Sequence, residues 1–179
     1  MQLGEIYLKI EICQSNQSMQ NSIKNIKVNS QFQDTVLPEA VNYWSKALRV
    51  RKTENRIRLS RKCEQNQVFF KSGDPHPYCK NDCEHTMCGE VEVPQEHLDV
   101  CRVCNAFGQN CQIKGSEKPG RGIEDADFVF YISAMQTERC QKGMTVAYAA
   151  HCQQESALDR PIAGNLLDCL LQKRPRLVY

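Results

Sequence analysis

Leu8, Ile10 and Ile12 alternate with Lys9 and Glu11, the two-residue period of a strand that buries one face. The pattern then stops. Thirteen of the twenty residues from 14 to 33 are Gln, Asn or Ser, too polar to bury and rich in side chains that compete for backbone groups, so a long, locally disordered surface loop is expected. A helical period follows: Leu37, Val41, Trp44 and Leu48 share one face, Asp34 or Thr35 can cap it, and Pro38 fits the first turn, where a missing amide costs little. An amphipathic helix over 35–51 is predicted, with Trp44, the only tryptophan, packed against a sheet. Alternation returns at Arg56-Ile57-Arg58-Leu59, a second predicted strand. The nearly continuous apolar run Asp127-Phe128-Val129-Phe130-Tyr131-Ile132 suits a central strand covered on both faces. Residues 145–151 and 160–164 supply two more strands. Strand, helix, strand, insertion and three strands imply an α/β or α+β half-domain with a mixed sheet, interrupted by a cysteine-rich stretch from 63 to 111.

At 179 residues the chain is long enough for one domain or subdomain with a substantial core. A net charge of +2 with both signs interspersed leaves no footprint for nucleic acid or an anionic membrane. The one local excess, the basic run over 46–62, reads as a solvated face. Eleven cysteines exceed cytosolic usage and call for an oxidising compartment or metal binding. Yet the first 13 residues have neither the positive start nor the apolar run of a secretory signal, and no segment approaches transmembrane length. The gene product is therefore expected to begin further upstream; the chain as written also fits the cytoplasm.

From Cys79 to Cys111 there are six cysteines and two histidines, His85 and His97. Cys79-x3-Cys83 and Cys101-x2-Cys104 have the spacing of two halves of a zinc knuckle. Against that, the pairing is irregular, Cys88 and Cys111 are left over, and five cysteines lie elsewhere; a disulfide framework uses nearly all of them. A dithiol redox site at Cys101-Arg102-Val103-Cys104 lacks the usual strand-to-helix setting. The four histidines, His76, His85, His97 and His151, never stand four apart around a Glu, so no helical zinc-binding pair exists. There is no Gly-x-Ser-x-Gly elbow, and His151 and Cys152, adjacent on a strand, would face opposite ways. Glu138, Asp159 and Arg160 read as turn and ion-pair residues.

Two segments carry a resemblance. "FKSGDPHPYCKNDCEHTMCGEVEVPQEHLDVCRVC" and "DADFVFYISAMQTERC" with "TVAYAAHCQQESALDRPIAG" closely resemble the leishmanolysin family, metzincin-type metallopeptidases that include leishmanolysin and invadolysin. The resemblance implies that 1–179 is the N-terminal part of a metzincin catalytic domain, α/β (α+β) with a twisted mixed sheet, one or more packed helices, a disulfide-rich loop insertion over 63–124 and a divergent tail over 165–179. It implies zinc-dependent endopeptidase activity on extracellular or cell-surface proteins, with protein or peptide substrates as partners and the parent associated with the cell surface or membrane. In the family the His-Glu-x-x-His-x-x-Gly helix follows soon after Arg-Pro-Ile-Ala-Gly, and this chain has none. No catalytic or metal residue is therefore assigned within it, and the chain alone is expected to bind no catalytic zinc and to be inactive. Disulfides are implied for Cys63, Cys79, Cys83, Cys88, Cys101, Cys104, Cys111, Cys140 and Cys152, with Cys169 the expected unpaired residue. By chain order, Thr145, Val146, Ala147, Tyr148, Ala149, Ala150 and His151 match the antiparallel edge strand that pairs with extended substrate in metzincins. The rival reading from another class is a secreted, cysteine-stapled binding or adhesion module.

Overall fold

The computed structural model describes residues 3–5, 8–12, 32–51, 56–115, 118–142, 144–155 and 159–169. The predicted polar loop lies outside them apart from its last two residues, as do Cys13 and the chain beyond Cys169. Four strands, β1 (Leu8–Ile12), β2 (Phe128–Ala134), β3 (Ala147–Gln154) and β4 (Pro161–Asp168), form one sheet in the order β3-β4-β2-β1. β1 and β4 flank β2 in parallel, while β3 runs antiparallel to β4. The sheet is mixed and the class α+β. β4 continues four residues beyond the predicted segment, through Asp168.

The apolar run of β2 is covered on both faces over its C-terminal half and on one face over its first half. Val129 and Tyr131 are fully buried beneath Ile57, Leu59, Val91, Val93, Leu98 and Ile123, and Ala163 of β4 joins the same core. Residues of the cysteine-rich stretch thus pack directly on the sheet. A fully buried side chain of this size contributes roughly 1.5–3 kcal/mol through the hydrophobic effect, so this cover is a principal source of stability. Tyr131 keeps its hydroxyl satisfied: it lies 3.0 Å from Nδ1 of His97, itself buried on a short helical turn, Gln95–His97. On the other face Phe128 and Phe130 are half-buried, their ring centroids 5.8 Å apart, while Ile132 and Ala134 are buried.

Two expectations are corrected here. Arg56 to Leu59 is not a strand in the sheet: Ile57 bridges Ile123 and Leu59 bridges Leu98, two isolated contacts with different partners. Its alternation records burial of Ile57 and Leu59 in the core, which needs period two and does not need a ladder. The helix is shorter than predicted. A π-helical turn, Phe32–Val36, leads into α1 (Leu37–Ala47), which has Pro38 in its first turn and ends before a strand, Arg49–Arg51, paired with Leu3–Glu5. Trp44 is 50% exposed, edge-on to Tyr43, and Leu37 alone of the apolar stripe is buried. The period places these residues on one face of the helix, but Trp44 and Leu48 on that face stay exposed rather than packing against the sheet.

Five disulfides join Cys63 to Cys79, Cys83 to Cys101, Cys88 to Cys152, Cys104 to Cys111 and Cys140 to Cys169. All nine implied cysteines are used. Cys169 is not the unpaired one: β4 delivers it next to Cys140 on the short helix α2 (Glu138–Gln141), whose Thr137 cap accepts from the Cys140 amide at 3.3 Å. Leu167, Met135 and Tyr148 enclose this pair. The basic run meets acids and carbonyls at the surface, with Arg56–Glu124 at 2.7 Å and Lys62–Glu84 at 2.6 Å.

Candidate substrate-binding edge

β3 ends the sheet, with β4 on one side and no strand among the described residues on the other. The ladder fixes which backbone groups face outward. The Cys169 amide donates to the Val146 carbonyl at 2.9 Å, so Val146 is turned toward β4. In a strand the amide and carbonyl of one residue point the same way and alternate along the chain. In the register Ala147↔Asp168 through His151↔Gly164, Tyr148 and Ala150 therefore bond to β4, while Ala147, Ala149 and His151 turn theirs to the open side. Ala147, Ala149, Ala150 and His151 are exposed, and three alanines leave room for a second backbone. Thr145 and Val146 precede the strand proper.

The edge is fastened at both ends from the covered face. Near its C-terminus the register shifts between His151 and Gln153, which makes Cys152 the extra residue of a bulge. The bulge lets Cys152 and Gln153 both engage groups under the sheet. Cys152 bonds Cys88, while the Gln153 amide donates to the Ser60 carbonyl at 2.7 Å and its carbonyl accepts from the Ser60 amide at 2.8 Å. At the other end, Tyr148 donates to Thr137 at 3.2 Å and lies under the Arg139 guanidinium, 4.7 Å from its ring centre. Arg160, before β4, is half-buried between Glu155 at 3.5 Å and Asp127 at 3.8 Å, an ion-pair role as the sequence suggested. Glu138 pairs with Lys142 at 2.7 Å on α2.

Across the sheet, Phe130, Gly164 and His151 form one row. A Cβ on Gly164 would lie 2.8 Å from Phe128 Cζ and 3.0 Å from the Ala150 carbonyl, so the glycine of Arg-Pro-Ile-Ala-Gly lets an aromatic ring close over β4. Sequence reading quoted Gly164 within its motif without finding this role. It missed Gln153 altogether; a lone glutamine in a strand carries no signal for a backbone-capping contact.

The histidines do not converge. His97 is buried on Tyr131, His85 is exposed and 2.7 Å from Glu92, His76 is 3.7 Å from Asp99, and His151 stands on the edge strand. The one group of three close metal-ligating side chains among the described residues is Cys79, Cys83 and Cys101, all committed to disulfides. These residues do not fit the zinc site of a metallopeptidase. Neither half of the Cys79-x3-Cys83 and Cys101-x2-Cys104 pattern bonds within itself, and Cys101 and Cys104 take different partners. Two carboxylates are held below the ordinary range: Asp74 by the Tyr78 hydroxyl and the His76 amide, Asp82 by the Lys114 ammonium and the Cys83 amide.

Leishmanolysin-like peptidase of Drosophila pseudoobscura pseudoobscura is 65% identical over 137 residues, 76% of this chain and 20% of the relative. Leishmanolysin-like peptidase of Caenorhabditis briggsae is 44% identical over 151 residues, covering 83% of the chain and 22% of the relative. A ciliated left-right organizer metallopeptidase of Danio rerio is 32% identical over 162 residues, 79% of the chain and 24% of the relative. The chain thus spans about a fifth of the length of these curated relatives. No protein-family profile matches it.

Proposed function

Since the chain belongs to the leishmanolysin-like peptidase family, we propose that it forms the substrate-binding edge, and the frame that holds it, of a zinc-dependent endopeptidase acting on extracellular or cell-surface proteins. The observation that carries this reading is the open side of β3, where Ala147, Ala149 and His151 present unpaired amides and carbonyls beside small side chains. An extended peptide adds there as a further strand: main-chain bonds supply affinity, and its alternate side chains meet the sheet face of Gly164 and Phe130. Among the described residues none assembles a catalytic zinc site, and no hydrolytic step is assigned to them. Five disulfides support assembly in an oxidising compartment such as the secretory pathway.

The test is peptide binding by the oxidised chain, followed residue by residue through amide chemical shifts and exchange. Extended peptides should protect Ala147, Ala149 and His151, and no peptide should be cleaved. Ala149→Pro removes one outward donor and leaves the inward ladder intact. It should weaken binding about fivefold, the ~1 kcal/mol net worth of one hydrogen bond. Perturbations confined instead to the exposed rings of Phe70 and Phe107 would favour the binding-module reading.

A further inference from the structure

Two of the five disulfides lie against each other. The Sγ atoms of Cys79 and Cys83, which belong to different bonds, are 3.5 Å apart, and Cys101 joins them with all three sulfurs within 4.8 Å of one another. Cys63 is bonded to Cys79 and is also the cross-strand partner of Cys83 in the ladder of Lys62–Cys63 with Cys83–Glu84. Three of the sulfurs thus lie together, Cys79 and Cys83 from one segment and Cys101 from another, and Cys63, from a third, is tied to the group through its bond to Cys79. Tetrahedral zinc with Zn–S bonds of about 2.3 Å needs sulfurs about 3.8 Å apart. We propose that, on reduction, Cys63, Cys79, Cys83 and Cys101 form a tetrathiolate site for a thiophilic divalent cation, with zinc the best match.

The backbone keeps the four in place without their covalent links. The Cys104 amide donates to the Cys79 carbonyl at 2.8 Å, the Lys114 amide to the Cys101 carbonyl at 2.9 Å, and the Glu64 amide to the Asp82 carbonyl at 3.0 Å. Cys79 is also paired with Val68 and Val103 in small ladders on its two sides. The charge is suited as well. Each disulfide takes two electrons and two protons from one equivalent of a dithiol, which closes to its own disulfide. Metal binding then releases four thiol protons, leaving a cluster of charge 2− when the cation is divalent. Arg61 and Lys114 line the cavity that Cys83 and Cys101 border, together with Asp82, which pairs with Lys114 and lies 4.0 Å from Cys101 Sγ, so one net positive charge stands beside the place where negative charge would develop. Cys83 is the least buried of the four, which gives a reductant its point of entry. This inference is independent of the peptidase reading, since none of these cysteines lies on the edge strand.

The experiment is an anaerobic titration of the chain, reduced by a phosphine so that no competing thiol is added, with Co2+ as the probe. One equivalent should bind with the intense visible absorption of tetrahedral sulfur coordination, and one equivalent of Zn2+ should bleach it. Alkylation and peptide mapping with and without zinc should show zinc-dependent protection at Cys63, Cys79, Cys83 and Cys101, and none at the partly exposed Cys111 and Cys152. Cys63→Ser with Cys101→Ser should abolish cobalt binding, and Cys104→Ser with Cys111→Ser should retain it. A reduced chain that folds only with stoichiometric zinc would support the site equally. Absence of stoichiometric cobalt, or protection centred on other cysteines, would overturn it.

Discussion

A chain carrying Cys88→Ser together with Cys152→Ser should lose about 4 kcal/mol of stability, the largest effect expected of any disulfide in this fold. The bond closes a loop of 64 residues; the entropy model of loop closure gives about 4.3 kcal/mol for that length and roughly 2.4 kcal/mol for the 7-residue Cys104–Cys111 loop. Its position adds a local consequence. Cys88 is fully buried in the core, in a small hairpin of Met87–Cys88 with Val91–Glu92, and Cys152 is the bulged residue of β3. Without the bond, β3 keeps its ladder with β4, the Tyr148 contacts to Thr137 and Arg139 at one end and only the Gln153 contact to Ser60 at the other, so its C-terminal end should open locally. Denaturant melts of the oxidised double variant should show the loss, with Cys104→Ser and Cys111→Ser as the comparison. Of the amides of Tyr148 and Ala150, which bond to β4, that of Ala150 should quicken its exchange first. A loss no larger than that of the short loop would refute the ranking and place the fastening of β3 in its hydrogen bonds.

The sequence carried most of the sheet because burial writes itself as period. β2 was legible as an apolar run, β1 as alternation, and β3 and β4 as two further strand segments; the pairing order β3-β4-β2-β1, with β4 inserted between β3 and β2, was not. What failed were inferences from a local period to a partner. The stripe Leu37, Val41, Trp44 and Leu48 makes a helix amphipathic, but where the stripe docks depends on residues far away in sequence, and Trp44 stays half-exposed. Ile57 and Leu59 alternate because both enter the core, and two single bridges satisfy that as well as a ladder would.

Cysteine pairing shows the same limit. The nine implied cysteines could be named, but which joins which depends on tertiary approach, as with Cys88 and Cys152 at opposite ends of a 64-residue separation. Cys169 was misassigned because the residues from Asn165 onward depart from the family's pattern. β4 nevertheless continues through Asp168 and sets Cys169 against Cys140. The backbone ladder tolerates side-chain divergence that a motif comparison does not. The strand of the proposed substrate edge was legible as a segment. Which of its backbone groups face outward, those of Ala147, Ala149 and His151, needed the register.

Gly164→Val should be the most damaging single substitution in the edge region, costing about 3 kcal/mol, with Gly164→Ala costing roughly half as much. Gly164 is the only position in β4 without a side chain, and it pairs with Phe130 on one side and His151 on the other. An added Cβ would meet Phe128 Cζ at 2.8 Å, the Ala150 carbonyl oxygen at 3.0 Å and Phe130 Cε2 at 3.5 Å. The phenylalanine rings are half-buried and can swing aside, exposing apolar area. The Ala150 carbonyl cannot move without disturbing the β3–β4 ladder, so relief comes partly by pushing the edge strand outward. Valine adds two methyl groups to the same crowded space. The ring contribution can be separated from the backbone contribution by combining Gly164→Ala with Phe128→Leu, which removes the closest aromatic carbon. If ring crowding dominates, the pair should recover most of the alanine cost in denaturant melts. If the carbonyl contact dominates, stability should stay low and peptide protection at Ala149 and His151 should remain weak. A Gly164→Val chain as stable as the parent would show that β3 yields freely, and a rigid substrate edge would then have no structural basis.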